Sequence, residues 1–236
     1  MQAGKVLFSQ VHMRRRIAWC FLSILMGVQE GKYDFFVQCF LVAGAKTCYT
    51  DTINRKGATY MSILPYRKQV LVLGRGGFGR QLGEMLEDAG WGAPIYLDDH
   101  VPDCAGGLRD FVDPDLRRCC PAAFVAVGDN ALRRELIQKL RAVGYQLPVF
   151  IHPAAEVCES AQLGAGTVVL PFAFVGANVH TGPGCLLNAG TILDHDAILG
   201  AAVHLAPGAI VKAGARVEDL TKVDSGEIIR SPWEKN

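Results

Sequence analysis

A six-residue repeat is the feature of this sequence that most constrains its fold. Written in sixes from Val157, the chain forms eleven consecutive units without an insertion, ending at Lys222. The first place holds Val or Leu in every unit except the one that starts at Thr181, and the fifth place holds only Ala, Thr, Val or Cys. A frame this regular predicts one short strand and one corner per unit, with three units to a triangular coil.

The repeat also predicts which side chains face inward. The aliphatic first place and the small fifth place fill a narrow interior, while the third and fourth places form the corner and often carry Gly, Asn, Asp or Pro. Residue i then stacks over residue i+18, and eleven units make about 3.7 coils. A single coil cannot bury its apolar edge, so only the stack is stable. The sequence thus predicts a β-helix over residues 152–222, followed by a tail over 223–236.

A glycine-rich turn lies ahead of the repeat. Residues 69–91, QVLVLGRGGFGRQLGEMLEDAGW, have the pattern of a buried strand, a turn and an amphipathic helix. Its glycines satisfy G-x-G-x-x-G, which lets backbone N–H groups at a helix N-terminus approach an anion. A second strand ends at Asp98 and Asp99, about twenty residues on, where a ribose or base would be read. The alternative for so short a motif is a tight crossover that binds nothing.

The size of this first domain limits what it can hold. A third strand from Ala122 leads into a helix with Asn130 near its cap, and a short strand, PVFI, is expected to close the domain at Ile151. This β-α-β-β-α-β order fills about half of a dinucleotide fold. One nucleotide, or a nucleotide joined to a sugar, therefore fits better than NAD, and an NAD-dependent oxidoreductase is the weaker alternative.

Composition narrows the partners and the compartment. The formal net charge is +1 and no basic stripe is interleaved with aromatics, which argues against nucleic acid as a partner. The eight cysteines form no C-x-x-C pair, so we expect free thiols in a reducing cytoplasm.

Residues 1–65 form an extension that the repeat and the glycine-rich domain do not need. Within it, three arginines precede an apolar run over residues 17–28. The run is either a signal or anchor segment or part of a stretch ahead of a true start at Met61. We prefer the second interpretation.

Together, the repeat and the glycine-rich domain resemble the hexapeptide-repeat acyltransferases and, more narrowly, the NeuD-type sugar acetyltransferases. The resemblance covers about residues 66–222. It implies an α/β Rossmann-like nucleotide-sugar-binding domain over 66–151, followed by a left-handed parallel β-helix. It also implies acetyl-CoA as co-substrate, an amine or hydroxyl of a nucleotide-linked sugar as acceptor, and a homotrimer with sites between adjacent β-helices. A trimer that binds a nucleotide sugar without catalysis is the alternative.

The resemblance assigns roles to individual residues. His195 stands in the third place of its unit, hence outside the core, and matches the family's proposed general base, with Asp196 preferred over Asp194 as the acid that orients its ring. A solvated corner histidine is the alternative. The implied substrate contacts are Gly74, Gly76, Gly77, Phe78, Gly79, Asp98, Asp99, Asn130, Arg133 and Asn188, and the implied coenzyme contacts are His204, Gly208 and Ala213.

This chain differs from the NeuD-type family and from zinc-binding β-helices at specific residues. Phe78 stands where the family usually has a histidine, and Asp129 stands where it usually has an asparagine. Zinc-binding β-helices of the carbonic anhydrase type use three histidines. Here the spacings of fifteen and nine residues put His180, His195 and His204 on different faces or levels of one coil, and the close His-x-x-x-x-His pair is missing. We therefore expect no metal.

Overall fold

The structure is a computed structural model that describes residues 69–233 and, ahead of them, the backbone of four strands. These strands are β1 (Trp19–Leu22), β2 (Cys39–Val42), β3 (Thr47–Ile53) and β4 (Thr59–Pro65). β1 pairs antiparallel with β2, and β3 with β4, within a unit that ends at Arg67.

The start proposed at Met61 falls inside β4, where Met61 pairs with Asp51. Apart from the backbone of β1, the apolar run over residues 17–28 lies outside the described residues. None of the helices described is both long and apolar enough to cross a bilayer.

A small α/β domain follows, built on three parallel strands. Its strands are β5 (Val70–Leu73), β6 (Pro94–Leu97) and β7 (Ala122–Val125), in the order β6-β5-β7. Its helices are α1 (Gly77–Asp88), α2 (Pro114–Cys119) and α3 (Asn130–Ala142), with a 3₁₀ turn at Asp110–Val112. The periodicity did not predict α2, because six residues are too few for a helical period to show. Its signal is local: Asp113 accepts a hydrogen bond from the Asp115 N–H, and Pro114 opens the helix.

The rest of the described chain is the predicted parallel β-helix, made of two-residue strands. They are β8 (Phe150–Ile151), β9 (Glu156–Val157), β10 (Val168–Val169), β11 (Phe174–Val175), β12 (His180–Thr181), β13 (Leu186–Leu187), β14 (Ile192–Leu193), β15 (Ile198–Leu199), β16 (His204–Leu205), β17 (Ile210–Val211), β18 (Arg216–Val217), β19 (Lys222–Val223) and β20 (Ile228–Ile229). Each pairs in parallel with the strand eighteen residues away, as Leu187 does with Leu205. The predicted coil period is therefore confirmed.

Three faces enclose the interior. We call the sheet β8-β10-β13-β16-β19 the domain face, the sheet β9-β11-β14-β17-β20 the apolar face, and the sheet β12-β15-β18 the third face. First-place and fifth-place side chains fill the interior, as Leu193 and Ala197 do with no exposed surface. Sixth-place side chains point outward, as those of Phe174 and Ile192 do.

Corners between the faces stack into edges. The His195 edge joins the apolar and third faces through corners 158–161, 176–179, 194–197 and 212–215. The Asn188 edge joins the domain and apolar faces through corners 170–173, 188–191, 206–209 and 224–227. The α3 edge joins the third and domain faces through corners 182–185, 200–203 and 218–221.

Both ends of the β-helix extend beyond the predicted limits. Phe150–Ile151, expected to close the α/β domain, pairs instead with Val168–Val169. Lys222–Val223 and Ile228–Ile229, expected at the end of the repeat and in the tail, pair with β16 and β17. The six-residue repeat continues over these residues, but Glu227 stands at a fifth place where every earlier unit has a small residue. A large side chain fits there because the last described coil is covered on one side only.

The α/β domain packs on the domain face through a shared apolar cluster. Phe150, Val168 and Leu186, all outward-pointing on that face, join Val72 and Leu86 of the α/β domain. Burial of each of these three side chains contributes about 1.5–3 kcal/mol. The α/β domain thus packs against the β-helix through the first three strands of the domain face, β8, β10 and β13.

Candidate active site

A histidine–carboxylate pair stands on the His195 edge. His195 Nδ1–H donates to Asp196 Oδ2 at 2.7 Å, and both side chains are about half exposed. Asp194 has a different task, because its Oδ1 accepts the backbone N–H of His195 at 2.8 Å. Asp196 is therefore the aspartate that orients the ring, and Asp194 stabilises the backbone of the corner.

Electrostatics follow from this geometry. The hydrogen bond to Asp196, aided by the charge of Asp194, raises the pKa of His195 above its ordinary value. The same bond, with a second one from Asn178, lowers the pKa of Asp196. Because Nδ1 keeps its proton, the neutral ring offers Nε2 as a proton acceptor, which is what a general base requires.

Neighbouring coils support the same corner. Asn178, one coil earlier, donates from Nδ2 to Asp196 Oδ1 at 3.2 Å. Gly214, one coil later, donates its N–H to the His195 carbonyl at 3.0 Å. Ala213, predicted to contact the coenzyme, lies in that later corner. The sequence analysis does not single out Asn178. Its position eighteen residues before Asp196 nevertheless predicts that the two side chains stack in neighbouring coils.

The other predicted groove residues lie on a different edge. Asn188 and Gly208 belong to the Asn188 edge, where Asn188 Oδ1 accepts the N–H of Ala189 at 2.8 Å and the N–H of Gly208 donates to the Ala189 carbonyl at 3.0 Å. The apolar face separates this edge from His195. Within one chain the predicted site is therefore divided between two edges of the β-helix.

The apolar face between these edges is exposed. Its outward row, in register from coil to coil, is Phe174, Ile192, Ile210 and Ile228. Phe174, Ile192 and Ile228 each expose about 40 to 50% of their surface, and Phe172 at the adjoining corner exposes 76%. A contiguous apolar row of this length is typical of a surface that another protein covers.

His204 lies on the domain face, between Leu186 and Lys222 in neighbouring strands. Both ring nitrogens are buried and have no hydrogen-bond partner among the described residues. Burial, reinforced by the charges of Arg133 and Lys222, lowers the pKa of His204 to about 4. His204 is therefore neutral at physiological pH. His180 lies on the third face, and the described part of the chain brings no three metal-ligating side chains together.

The glycine-rich turn has the shape of an anion cradle. Gly74 has φ +99°, and a Cβ there would lie 2.7 Å from the Ala126 carbonyl oxygen; a Cβ on Gly79 would lie 2.0 Å from the Gly74 carbonyl oxygen. Those two glycines serve the tight packing of turn and helix. Gly76 and Gly77 face open space, and Gly76 begins α1 without a side-chain cap. The first N–H groups of α1 are thus available to a negatively charged ligand.

The side chains around this turn are mostly engaged within the protein. Asp98 accepts the backbone N–H groups of Arg75, His100 and Val101 at 2.6 to 3.0 Å. Partial burial acts to raise the pKa of Asp98, but these three bonds outweigh it and lower the pKa. Asp99 is exposed and accepts only the N–H of Leu108 among the described contacts. Asp99 is therefore the more available carboxylate for a sugar hydroxyl.

Phe78 stands at the position where the family resemblance has a histidine. It lies in the first turn of α1 and packs, half-buried, against the apolar cluster that joins the two domains. An apolar ring there adds packing and offers a ligand no hydrogen bond.

Arg133 and Asn130 join α3 to the β-helix. Arg133 is buried, and its guanidinium donates to the carbonyls of Gly184 and Ala202 at 2.9 and 2.8 Å. It also donates to Val127, Gly128 and the Asn130 amide oxygen, so all five of its N–H groups are used. Asn130 Nδ2 donates to the Leu220 carbonyl at 2.7 Å.

The acceptor carbonyls occupy equivalent places in three successive coils of the α3 edge. Arg133 has no donor left for a substrate, which differs from the contact expected of it, and Asn130 is committed to the same junction. Asp129, the family's asparagine position, caps α3 by accepting the N–H of Leu132 at 2.7 Å.

Comparison with known proteins gives consistent matches. Residues 69–140 match the model of the PglD N-terminal domain. UDP-N-acetylbacillosamine N-acetyltransferase of Bacillus subtilis (strain 168) is 32% identical over 111 residues, which are 44% of this chain and 51% of that protein. The match therefore spans about half the length of the Bacillus relative.

Solved structures match over a larger share. The acetyltransferase domain of PglB from Neisseria gonorrhoeae FA1090, in complex with acetyl coenzyme A, is 32% identical, with 68% of this chain and 81% of that one covered and a TM-score of 0.62. A mutant of GDP-perosamine N-acetyl transferase from Caulobacter crescentus, in complex with CoA and GDP-perosamine, is 28% identical, with coverage of 69% and 88% and a TM-score of 0.60. With this fold, these domains and these relatives, the chain belongs to the family of NeuD- and PglD-type sugar acetyltransferases.

Proposed function

We propose that the protein transfers the acetyl group of acetyl-CoA to the amine of a nucleotide-linked amino-sugar. The observation that carries the proposal is the exposed His195–Asp196 pair, in which Asp196 holds Nδ1–H and leaves Nε2 as a base. Relatives with matching folds are named N-acetyltransferases, which favours an amine over a hydroxyl as acceptor.

The proposed reaction needs one base and one leaving thiolate. The acceptor nitrogen attacks the thioester carbonyl carbon, and His195 Nε2 takes the proton that the nitrogen loses. The C–S bond then breaks, the acetyl group stays on nitrogen as an amide, and coenzyme A leaves as the thiolate, which regains a proton. A base of this kind contributes about 10²–10⁴ to the rate, and a backbone N–H near the groove would stabilise the oxyanion.

The acceptor and the coenzyme would occupy different parts of the protein. Open space at Gly76 and Gly77 and the uncapped start of α1 suit a phosphate of the sugar nucleotide, with Asp99 near a hydroxyl. The coenzyme arm would run along the β-helix edges past Ala213. His204, Gly208 and Asn188, which match the family's groove residues, would line the other side of the same groove. The neutral ring of His204 suits an apolar thioester better than a cation would.

A homotrimer is part of the proposal. His195 and Asn188 lie on two edges that flank the exposed apolar face, so an arrangement that buries this face brings the His195 edge of one copy toward the Asn188 edge of the next. Each of three such interfaces would then carry one complete site. We also place the protein in the cytoplasm, where its described cysteines would remain free thiols.

The deciding experiment is an acetyl-transfer assay with the purified full chain. Acetyl-CoA is supplied with a UDP-linked 4-amino-sugar, with GDP-perosamine and with the corresponding hydroxy-sugar nucleotides, and thiol release and product mass are followed. We expect turnover on the amino-sugars, and a loss of about 10²–10⁴ in kcat for His195→Gln. Arg134→Ala, on the exposed side of α3, serves as the matched control and should keep full activity.

Other outcomes identify other functions. Sugar-nucleotide binding without coenzyme A binding or turnover would indicate a non-catalytic binding protein. Thermal stabilisation by NAD alone would indicate an oxidoreductase, and product only from the hydroxy-sugars would indicate O-acetylation. Any of these three results would overturn the proposal.

A further inference from the structure

Three successive corners of the His195 edge form a continuous polar ladder. Ser160 Oγ accepts the backbone N–H of Asn178 at 3.0 Å, and Asn178 Nδ2 donates to Asp196 Oδ1 at 3.2 Å. The residues are spaced by eighteen, so each lies directly over the next. Asn178 and Asp196 have φ values of +56° and +59°, a conformation that asparagine and aspartate adopt more readily than most residues.

The hydrogen bond from Asn178 is important because the Asp196 carboxylate is exposed to solvent. Asp196 is about half exposed, and a carboxylate in water with a single partner can rotate away from it. Here each oxygen has its own partner: Oδ2 receives His195 Nδ1–H, and Oδ1 receives the Asn178 amide. Two anchors fix both the position and the plane of the carboxylate.

We propose that Asn178 is a positioning residue that holds the Asp196 carboxylate against His195 and thereby keeps the ring in the tautomer with a free Nε2. This role rests on the proposed acetyl transfer for its biological meaning. The geometric part, an effect of Asn178 on the His195 ring, is independent of any particular acceptor.

The charges that face His195 are few. Its own corner supplies Asp194 and Asp196, the corner above, residues 176–179, carries no charge, and the corner below begins with Lys212. The pKa of Asp196 is lowered first by His195 and next by Asn178, in line with an amide that stabilises the carboxylate. The Asn178 side chain is thus neutral, and a charge at its position would act directly on Asp196 and, through it, on His195.

Two substitutions separate positioning from folding. Asn178→Gly keeps the positive φ but removes the donor, so Asp196 loses an anchor and the pKa of His195 should fall toward its ordinary value. Asn178→Asp keeps shape and φ but places a second carboxylate beside Asp196, so the pKa of His195 should rise. Because the base must be neutral, the acid limb of kcat/KM moves to lower pH in the first variant and to higher pH in the second.

The experiment measures the ring directly and through turnover. The pKa and tautomer of His195 are followed by NMR of imidazole-labelled full-length protein, with His195→Gln for assignment. We expect opposite pKa shifts in the two variants, more of the Nε2–H tautomer in Asn178→Gly, and a fall in its kcat at pH 7 of about threefold to tenfold with KM for acetyl-CoA unchanged. Ser160→Ala removes the rung above without touching Asp196 and should leave all of these values at wild type.

Two results would overturn the proposal. One is a His195 pKa and tautomer that are the same in the wild type and both Asn178 variants. The other is an equal change in Ser160→Ala, which would reduce the ladder to a structural role. If the wild type acetylates none of the sugars tested, the NMR shifts still test Asn178, so the failure of the proposed function is distinguishable from the failure of this inference.

Discussion

Single residues on the His195 edge divide the work of one corner between them. Asp194 and Asp196 flank His195 symmetrically in sequence, yet one carboxylate binds the backbone N–H and the other binds the ring. The repeat places all three outside the core, because they hold the second, third and fourth places of their unit. It does not determine the rotamers: Asp196 is also held by the Asn178 amide in the coil above, and Asp194 by the backbone N–H of His195.

This division predicts different effects of two otherwise similar substitutions. Asp196→Asn removes the carboxylate that mainly raises the pKa of His195, so that pKa falls and the acid limb of kcat/KM moves to lower pH. Maximal kcat should fall about tenfold, because the ring loses its charged partner. Asp194→Asn keeps an oxygen for the His195 N–H and loses only a charge, so it should cause a smaller shift in the same direction. Rate profiles from pH 5 to 9 measure both.

A larger shift in Asp194→Asn than in Asp196→Asn would contradict this assignment of partners.

His204 predicts a pH dependence of stability at the level of one side chain. Its pKa is lowered to about 4 in the folded protein, so between pH 6.5 and 4 the unfolded chain binds a proton that the folded chain does not. Stability is therefore lost as pH falls through this window. His204→Leu removes the titrating group and suits the neighbouring Leu186, so its urea midpoint should fall less between pH 7 and 4 than that of the wild type. Parallel profiles for the two proteins would contradict the expectation.

Among the elements, α3 has the most specific attachment to the β-helix. Its first turns place Asn130 and Arg133 over carbonyls of three stacked coils, which an apolar helix face could not do. The carbonyls of Gly184, Ala202 and Leu220 accept no backbone N–H among the described hydrogen bonds. A buried arginine with five donors satisfies several at once, and burial lowers its pKa without discharging it.

Loss of this attachment should destabilise the whole chain. Arg133→Leu leaves the carbonyls of Gly184 and Ala202 buried without their donor, at a cost of about 2–4 kcal/mol in the free energy of unfolding. Arg134→Ala, one residue on, removes only an exposed ion pair with Asp219 and should cost less than about 1 kcal/mol. Urea denaturation of both variants makes the comparison, and similar losses in the two would refute the role given to Arg133.

Elements with a strong internal period could be predicted, and elements defined by tertiary contacts could not. The interior of the β-helix follows from the repeat, since Leu193 and Ala197 meet the same steric demand in every coil. The pairing of Phe150–Ile151 with the β-helix does not follow from the sequence, because a four-residue apolar segment has no period. The contacts of Arg133 with Gly184 and Ala202 do not follow from it either, because a motif shows residue types and not the carbonyls opposite them.

In the described part of the molecule, the three faces of the β-helix have different surroundings. The α/β domain covers much of the domain face, while the apolar face keeps a row of Phe and Ile side chains at the surface. The repeat assigns these residues to the sixth place but shows neither that they point outward nor what they contact. Only the arrangement of edges reveals that the candidate site residues fall on both sides of the apolar face.

A site shared between copies predicts that two inactive variants can restore each other. His195→Gln disables one edge of every chain, and Asn188→Ala disables the other, so each homotrimer has three defective sites. In trimers assembled randomly from equal amounts of both, an interface that takes the intact His195 from one chain and the intact Asn188 edge from the next arises with a probability of about one quarter.

Each mixed trimer has one such interface out of three, so we expect mixed trimers isolated through separable tags to recover up to about a third of wild-type kcat. Light scattering establishes that the isolated species are trimers, and each variant alone must stay inactive. Co-expression of His195→Gln with Asp196→Asn is the matched control: both changes lie on the same edge, so no interface regains an intact pair and activity should not exceed the mean of the two homotrimers. Mixed trimers of the first pair that stay as inactive as their parents would place the complete site within one chain.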